Sequence, residues 1–295
     1  MREDICRFLA NRPVPITPSR LATSQISGEW TSPYTGKGMD FRSHRAYQLG
    51  DDPRSINMAM SVRAKKRMVV ERIATRDISV FILLDCSPSM GIRDKAMILK
   101  TIALMILYSA SMMEMRVGAA ILNDNGYSHL GLGMGTRHTL RMMDIIEELC
   151  DVVSTNQPLD YEITPHGLHK QLPAGCILMY ISDWLDRKGN PIQQPPFMAN
   201  SRKFDLVPVI IQDEFEFSFP KLPGNSMLEL GDAETGEMCP LWLDNREVEK
   251  LKRLNENRFE RIQEGFHDRG LNFIHVSNPQ IDLVHQSLSN YFLYR

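Results

Sequence analysis

From about residue 77 onward, short apolar runs alternate with longer segments of helical periodicity, the pattern of a parallel sheet joined by crossover helices. The apolar runs predict strands over 79–84, 117–123, 128–132, 176–182, 206–211 and 272–276. The periodic segments predict helices over 95–115, 138–152, 166–171, 246–269 and 280–293. Runs such as Phe81-Ile82-Leu83-Leu84 carry no polar alternation, so both of their faces are covered. The expected fold class is α/β, with a doubly wound, mostly parallel sheet. Two short runs flanking a turn-forming stretch at 232–236 predict a hairpin insertion near 226–243.

The first 76 residues read differently: a short helix over 3–10, a Pro/Ser/Thr-rich crossing, then extended segments over 40–47 and 56–76. Alternation in Met68-Val69-Val70-Glu71-Arg72-Ile73 predicts a strand leading into the core. The expected organisation is a β-rich N-terminal elaboration over 1–76 and an α/β domain over 77–295.

Composition narrows the functional classes. With 43% hydrophobic residues, 295 positions fill a sizeable core. A net charge of -2 gives no global attraction to nucleic acid or anionic membrane. Cys6, Cys86, Cys150, Cys176 and Cys239 form no C-x-x-C pair, which fits reduced thiols in a cytoplasmic protein and argues against zinc. The opening Met1-Arg2-Glu3-Asp4 is not the basic start of a signal peptide. The segment 96–113 reaches the minimum length of a membrane span but contains Lys100 and several small or polar residues, so a helix buried under the sheet is expected.

Candidate chemistry lies where strands end. The run 81–84 stops on Asp85, and Ser87 and Ser89 follow in the same loop, so a carboxylate and two hydroxyls reach one place. These are hard oxygen donors for a small divalent cation, although Ser87 has a plain alternative as a helix cap. A second apolar strand, 176–182, stops on Asp183. Loops at the carboxyl ends of neighbouring strands converge in doubly wound sheets, which brings Asp183 toward Asp85 across 98 positions. The glycine-rich turn Gly131-Leu132-Gly133-Met134-Gly135 offers the hydroxyl of Thr136, with an N-cap as its plain alternative.

Together these positions resemble the metal-ion-dependent adhesion site of von Willebrand factor A domains: D-x-S-x-S after the first strand, a threonine after a Gly-rich turn, and an Asp after the fourth strand. The resemblance covers roughly residues 77–295 and implies metal ligation by Asp85, Ser87, Ser89, Thr136 and Asp183. It implies Mg2+, or Mn2+ or Ca2+, as the cofactor. Upstream, the unbroken segment from Asp40-Phe41-Arg42-Ser43-His44-Arg45 to Leu49-Gly50-Asp51-Asp52-Pro53-Arg54-Ser55-Ile56 resembles the signature of a bacterial family, domain of unknown function fifty-eight. Where that family shows Asp, Trp and Lys after the Ile, this chain has Asn57, Met58 and Ala59. The family carries von Willebrand A-like domains and is typically encoded beside MoxR-type AAA+ ATPases, which implies such an ATPase as partner in chaperone-like maturation of complexes. Read on its own chemistry, the same segment is a turn that Arg42, Arg45 and Arg54 could rigidify by pairing with Asp51 and Asp52.

Enzymatic readings fare worse. An aspartyl phosphatase needs a carboxylate two residues after the first acid, where Ser87 stands. The 86–91 loop lacks the first glycine of a nucleophile elbow, and Gly131, Gly133 and Gly135 have the wrong spacing for a dinucleotide site. His166 and His169 share a helical face without a further ligand. The reading is a non-enzymatic, metal-dependent interaction module. Its alternatives are a metal-dependent hydrolase, or a nucleic-acid-binding module using the basic segment 63–76, where no aromatic side chains interleave the charges of Arg63, Lys65, Lys66 and Arg67.

Overall fold

The structure, a computed structural model, describes residues 1–19, 41–48, 56–72, 78–123, 126–152, 172–185, 190–192, 203–216, 226–231, 238–243 and 245–295. The expected helix over 166–171, and most of the signature segment's turn, lie outside these residues. The chain forms two compact units, Met1–Ser27 with Ile78–Arg295, and Gly28–Asp77. The stretch 1–76 is therefore divided between them. Its opening helix α1 (Arg2–Leu9) buries Ile5 and Leu9 in the core of the larger unit.

In the smaller unit, β1 (Phe41–Ala46) pairs antiparallel with β2 (Met68–Arg72). Between them lies α2 (Met58–Ala64), where an extended segment was expected. The Asn57 side chain accepts the Met60 amide at 3.1 Å, an N-cap that starts a helix of Met and Ala, both good helix formers. Lys65, at φ 51, turns the chain left-handed and ends it.

The larger unit is built on β3 (Ser79–Asp85), β4 (Arg116–Asn123), β5 (Gly126–Gly133), β6 (Ile177–Ser182), β7 (Asp205–Ile211) and, later in the chain, Ile274–Val276. A separate antiparallel hairpin of β8 (Ser226–Gly231) and β9 (Met238–Leu243) occupies the expected insertion, and Ile274–Val276 becomes β10. The sheet order is β10-β7-β6-β3-β4-β5, parallel except that β5 runs antiparallel to β4.

Helices α3 (Lys95–Met112), α4 (Thr136–Val152), α5 (Asn245–His267) and α6 (Ile281–Tyr294) complete the unit. Side-chain alternation along β3 divides the core. Val80, Ile82 and Leu84 share one cluster with Ile98 and Ile102 of α3, Met143 of α4 and Leu288 of α6. Phe81 and Leu83 share the other with Ile262 and Phe266 of α5. Among the described residues α3 alone is long and apolar enough to cross a membrane, yet most of it is buried in this core. Each fully buried Leu or Ile there contributes about 1.5–3 kcal/mol, which an apolar all-round helix collects on every side. Gly118 of β4 lies under the Phe81 ring, where an added Cβ would come within 2.7 Å of Cδ2.

Candidate metal centre

The six-residue run Ser79 to Leu84 is fully buried, and only its last neighbour, Asp85, keeps partial exposure at the carboxyl edge of the sheet. Asp85 is held from two sides. Its Oδ1 accepts the Ser87 amide at 3.0 Å, and its Oδ2 accepts the Ser182 hydroxyl at 2.6 Å. A 3-10 turn, Pro88–Gly91, then folds the loop back so that the Ser87 and Ser89 hydroxyl oxygens lie 3.1 Å apart. Met90 anchors that turn in the core at 1% exposure.

The neighbouring strand β6 delivers Asp183 to the same edge, because Leu84 registers with Ile181 in the parallel ladder. Asp183 Oδ1 accepts the Leu185 amide at 3.2 Å. The Ser182 hydroxyl, while donating to Asp85, accepts the Trp184 amide at 2.9 Å, so one hydroxyl ties the two strand ends together. Trp184 adopts a left-handed φ of 59, unusual for so large a side chain. Full burial holds it there: its indole donates to the Val209 carbonyl at 3.0 Å and meets the Phe266 ring edge-on at 4.7 Å.

Asp183 is 2% exposed and is paired internally. Lys95, at the first position of α3, reaches Asp183 Oδ2 at 3.3 Å and Glu216 Oε1 at 2.6 Å. Beside this pair, Arg93 meets Asp213 at 3.2 Å. Burial pushes the Asp85 carboxyl above the usual range, and the nearby Asp183 charge adds to it, while bonds from Ser182 and Ser87 only partly offset them. Burial pushes Lys95 down, but Asp183 and Glu216 more than compensate and keep its ammonium charged.

Thr136 is not part of this cluster. Because β5 is antiparallel, its end Gly133 registers with Val117, at the start of β4, and Val117 registers with Val80. Val80 and Asp85 are five residues apart on β3, about 16 Å at the usual rise, so Thr136 opens α4 at the opposite edge of the sheet. His138, the third residue of that helix, contacts the Val117 carbonyl at 3.1 Å and fixes the same placement. The expected approach of Thr136 to the other donors fails because the strand before it runs antiparallel.

The strand-end residues Asp85, Ser87, Ser89 and Asp183 thus converge, and Ser182, Lys95, Asp213 and Glu216 join them. Asp213 follows β7 as Asp183 follows β6, so the rule that selected the first two acids reaches it in Ile210-Ile211-Gln212-Asp213. Lys95 had only a weak signal, a cation opening a mostly apolar helix.

The donors fit a small hard cation. Two cis ligands at about 2.1 Å from an octahedral ion lie about 3.0 Å apart, close to the 3.1 Å separation of the Ser87 and Ser89 hydroxyls. Asp85, Asp183 and Glu216 bring three carboxylates against the single ammonium of Lys95, with Arg93 and Asp213 balancing each other. With Asp85 ionised, the excess among these described residues is two negative charges, which a divalent ion would neutralise. Among the described residues no group of three or more His, Cys, Asp or Glu side chains is arranged to hold a metal, so a centre here depends on hydroxyl donors as much as on acids.

The fold is a mixed α/β architecture with a six-stranded, mostly parallel sheet and an acid-and-hydroxyl cluster at its carboxyl edge. A family model described as Protein of unknown function DUF58 matches residues 43–258, and the chain belongs to that family. No curated protein matches it. Among solved structures the chain is similar to the D319A mutant of the PilB minor pilin from Streptococcus sanguinis, at 12% identity and a TM-score of 0.32 over 77% of its length. The match spans 65% of that pilin chain, slightly under two thirds.

Proposed function

We propose that this protein is a non-enzymatic, divalent-cation-dependent interaction module of the von Willebrand factor A type. The observation that carries the reading is the pair of hydroxyls of Ser87 and Ser89, 3.1 Å apart, beside the strand-end carboxylates Asp85 and Asp183. The position of Asp183 supports it, since β6 is the fourth strand of the sheet in chain order. Asp85, Ser87 and Ser89 would hold the ion, Mg2+ or in its place Mn2+ or Ca2+, with Thr136 excluded by its place in the fold. When bound, the ion would supply an electrophilic position open to a carboxylate oxygen of a partner. Ser182 donates to Asp85 and works against the rise that burial imposes on its carboxyl, and the Pro88–Gly91 turn keeps both hydroxyls on one side of the loop.

Membership in the DUF58 family supports a MoxR-like AAA+ ATPase as the partner, and chaperone-like maturation of protein complexes as the shared task. An acidic side chain of that ATPase would complete the ion's shell. The test is capture of the ATPase by the tagged protein with Mg2+, with EDTA, and with Ser87→Ala combined with Ser89→Ala. Capture only with Mg2+, and only by the intact hydroxyl pair, is expected. Capture that survives both EDTA and the double substitution rejects the reading.

A further inference from the structure

Lys95 is in an unfavourable place by two physical criteria. It is 3% exposed, and it opens α3, where the helix dipole already carries partial positive charge. A buried cation at that end adds nothing to the helix. What compensates it is the pair of carboxylates it bridges, Asp183 Oδ2 at 3.3 Å and Glu216 Oε1 at 2.6 Å. The other oxygen of Asp183 accepts the Leu185 amide at 3.2 Å, so both oxygens of this acid have internal partners. Asp85 differs, since among the described residues its partners are a backbone amide and a hydroxyl, and no cation.

We infer that Lys95 is a tethered cation that holds Asp183 away from the divalent ion, which is left to Asp85, Ser87 and Ser89 as its ligands among the described residues. The inference rests on the cation site proposed above. It makes Lys95 a positioning residue that sets both the affinity and the reactivity of the site. With one carboxylate in the shell instead of two, the ion is bound less tightly and stays more electrophilic toward an oxygen from outside. Replacing the ammonium by an apolar side chain frees Asp183 to enter the shell.

A double-mutant cycle read by calorimetric titration with MnCl2 tests this, with circular dichroism to establish folding. Lys95→Met is expected to tighten Mn2+ binding at least about tenfold, by releasing an acid and removing a like charge. Asp183→Asn in the wild-type background is expected to weaken binding by less than about tenfold, because Asp183 is not a ligand there. Lys95→Met combined with Asp183→Asn should lose the gain, which a purely through-space effect of the lysine charge would leave in place. Persistence of the gain in the double variant overturns the inference, and so does a loss beyond about tenfold in Asp183→Asn alone. If Lys95→Met does not fold, the Asp183→Asn titration alone decides. Binding by Lys95→Met without binding by the wild type rejects the proposed function and the three-ligand wild-type site inferred here. Absence of binding in every form rejects the cation site and this inference with it.

Discussion

Ser182→Ala tests the joint between the two strand ends. The hydroxyl is fully buried, donates to Asp85 Oδ2 at 2.6 Å and accepts the Trp184 amide at 2.9 Å. Losing a hydrogen bond to an ionised group costs about 1.5–3 kcal/mol, and leaving a buried amide without its acceptor costs about 1–3 kcal/mol. The two losses are coupled through one atom, so we expect about 3–5 kcal/mol in total, a large share of the 5–15 kcal/mol typical of a domain. Urea denaturation at pH 7, followed by tryptophan fluorescence and far-UV circular dichroism, should show a lower midpoint at unchanged slope. Ser182→Thr, which keeps the hydroxyl, should recover part of the loss. Asp85 also loses a donor that lowers its pKa, so the Ala variant should need more Mn2+ for the same rise in melting temperature. A loss under about 1 kcal/mol at unchanged slope would refute the reasoning, because it would show that the strand ends hold their geometry without this hydroxyl.

Three further outcomes are expected. Thr136→Ala should leave Mn2+ binding at the wild-type level in calorimetry while Ser87→Ala with Ser89→Ala abolishes it, since Thr136 lies at the other edge of the sheet. Gly118→Ala should lower stability by about 1–3 kcal/mol in urea denaturation, because its methyl would approach Phe81 Cδ2 to 2.7 Å and the Leu130 carbonyl to 3.1 Å. Alkali should destabilise the fold: burial pushes the Cys176 thiol up to about 12 and the Tyr180 phenol upward as well, so the native state keeps protons that the unfolded chain releases. Stability contributed by Cys176 is whole below about pH 9 and falls as pH rises toward 12, by about 1.4 kcal/mol per unit, and melting temperatures from pH 8 to 11 measure it.

The strand-and-helix succession was legible because buried parallel strands leave unbroken apolar runs, and crossover helices leave a 3.6-residue period. Segment 58–64 escaped, since a seven-residue helix shows little period and Asn57 is its one clear signal. Candidate acids were legible for the same reason as the strands: a carboxylate ending an apolar run must sit at the sheet edge. That argument selected Asp85 and Asp183 and extends to Asp213.

Direction and pairing were not legible. Gly126–Gly133 reads as a strand whichever way it runs, and only its antiparallel register with β4 carries Thr136 away from the other donors. Lys95 and Glu216 are 121 positions apart, and nothing local to either shows that they meet over Asp183. Which residues sit inside and where each strand ends follow from local pattern, because burial and backbone geometry act over a few neighbours. Which ends share an edge, and which charges neutralise each other there, depend on strand order and register, and those exist only once the chain has packed.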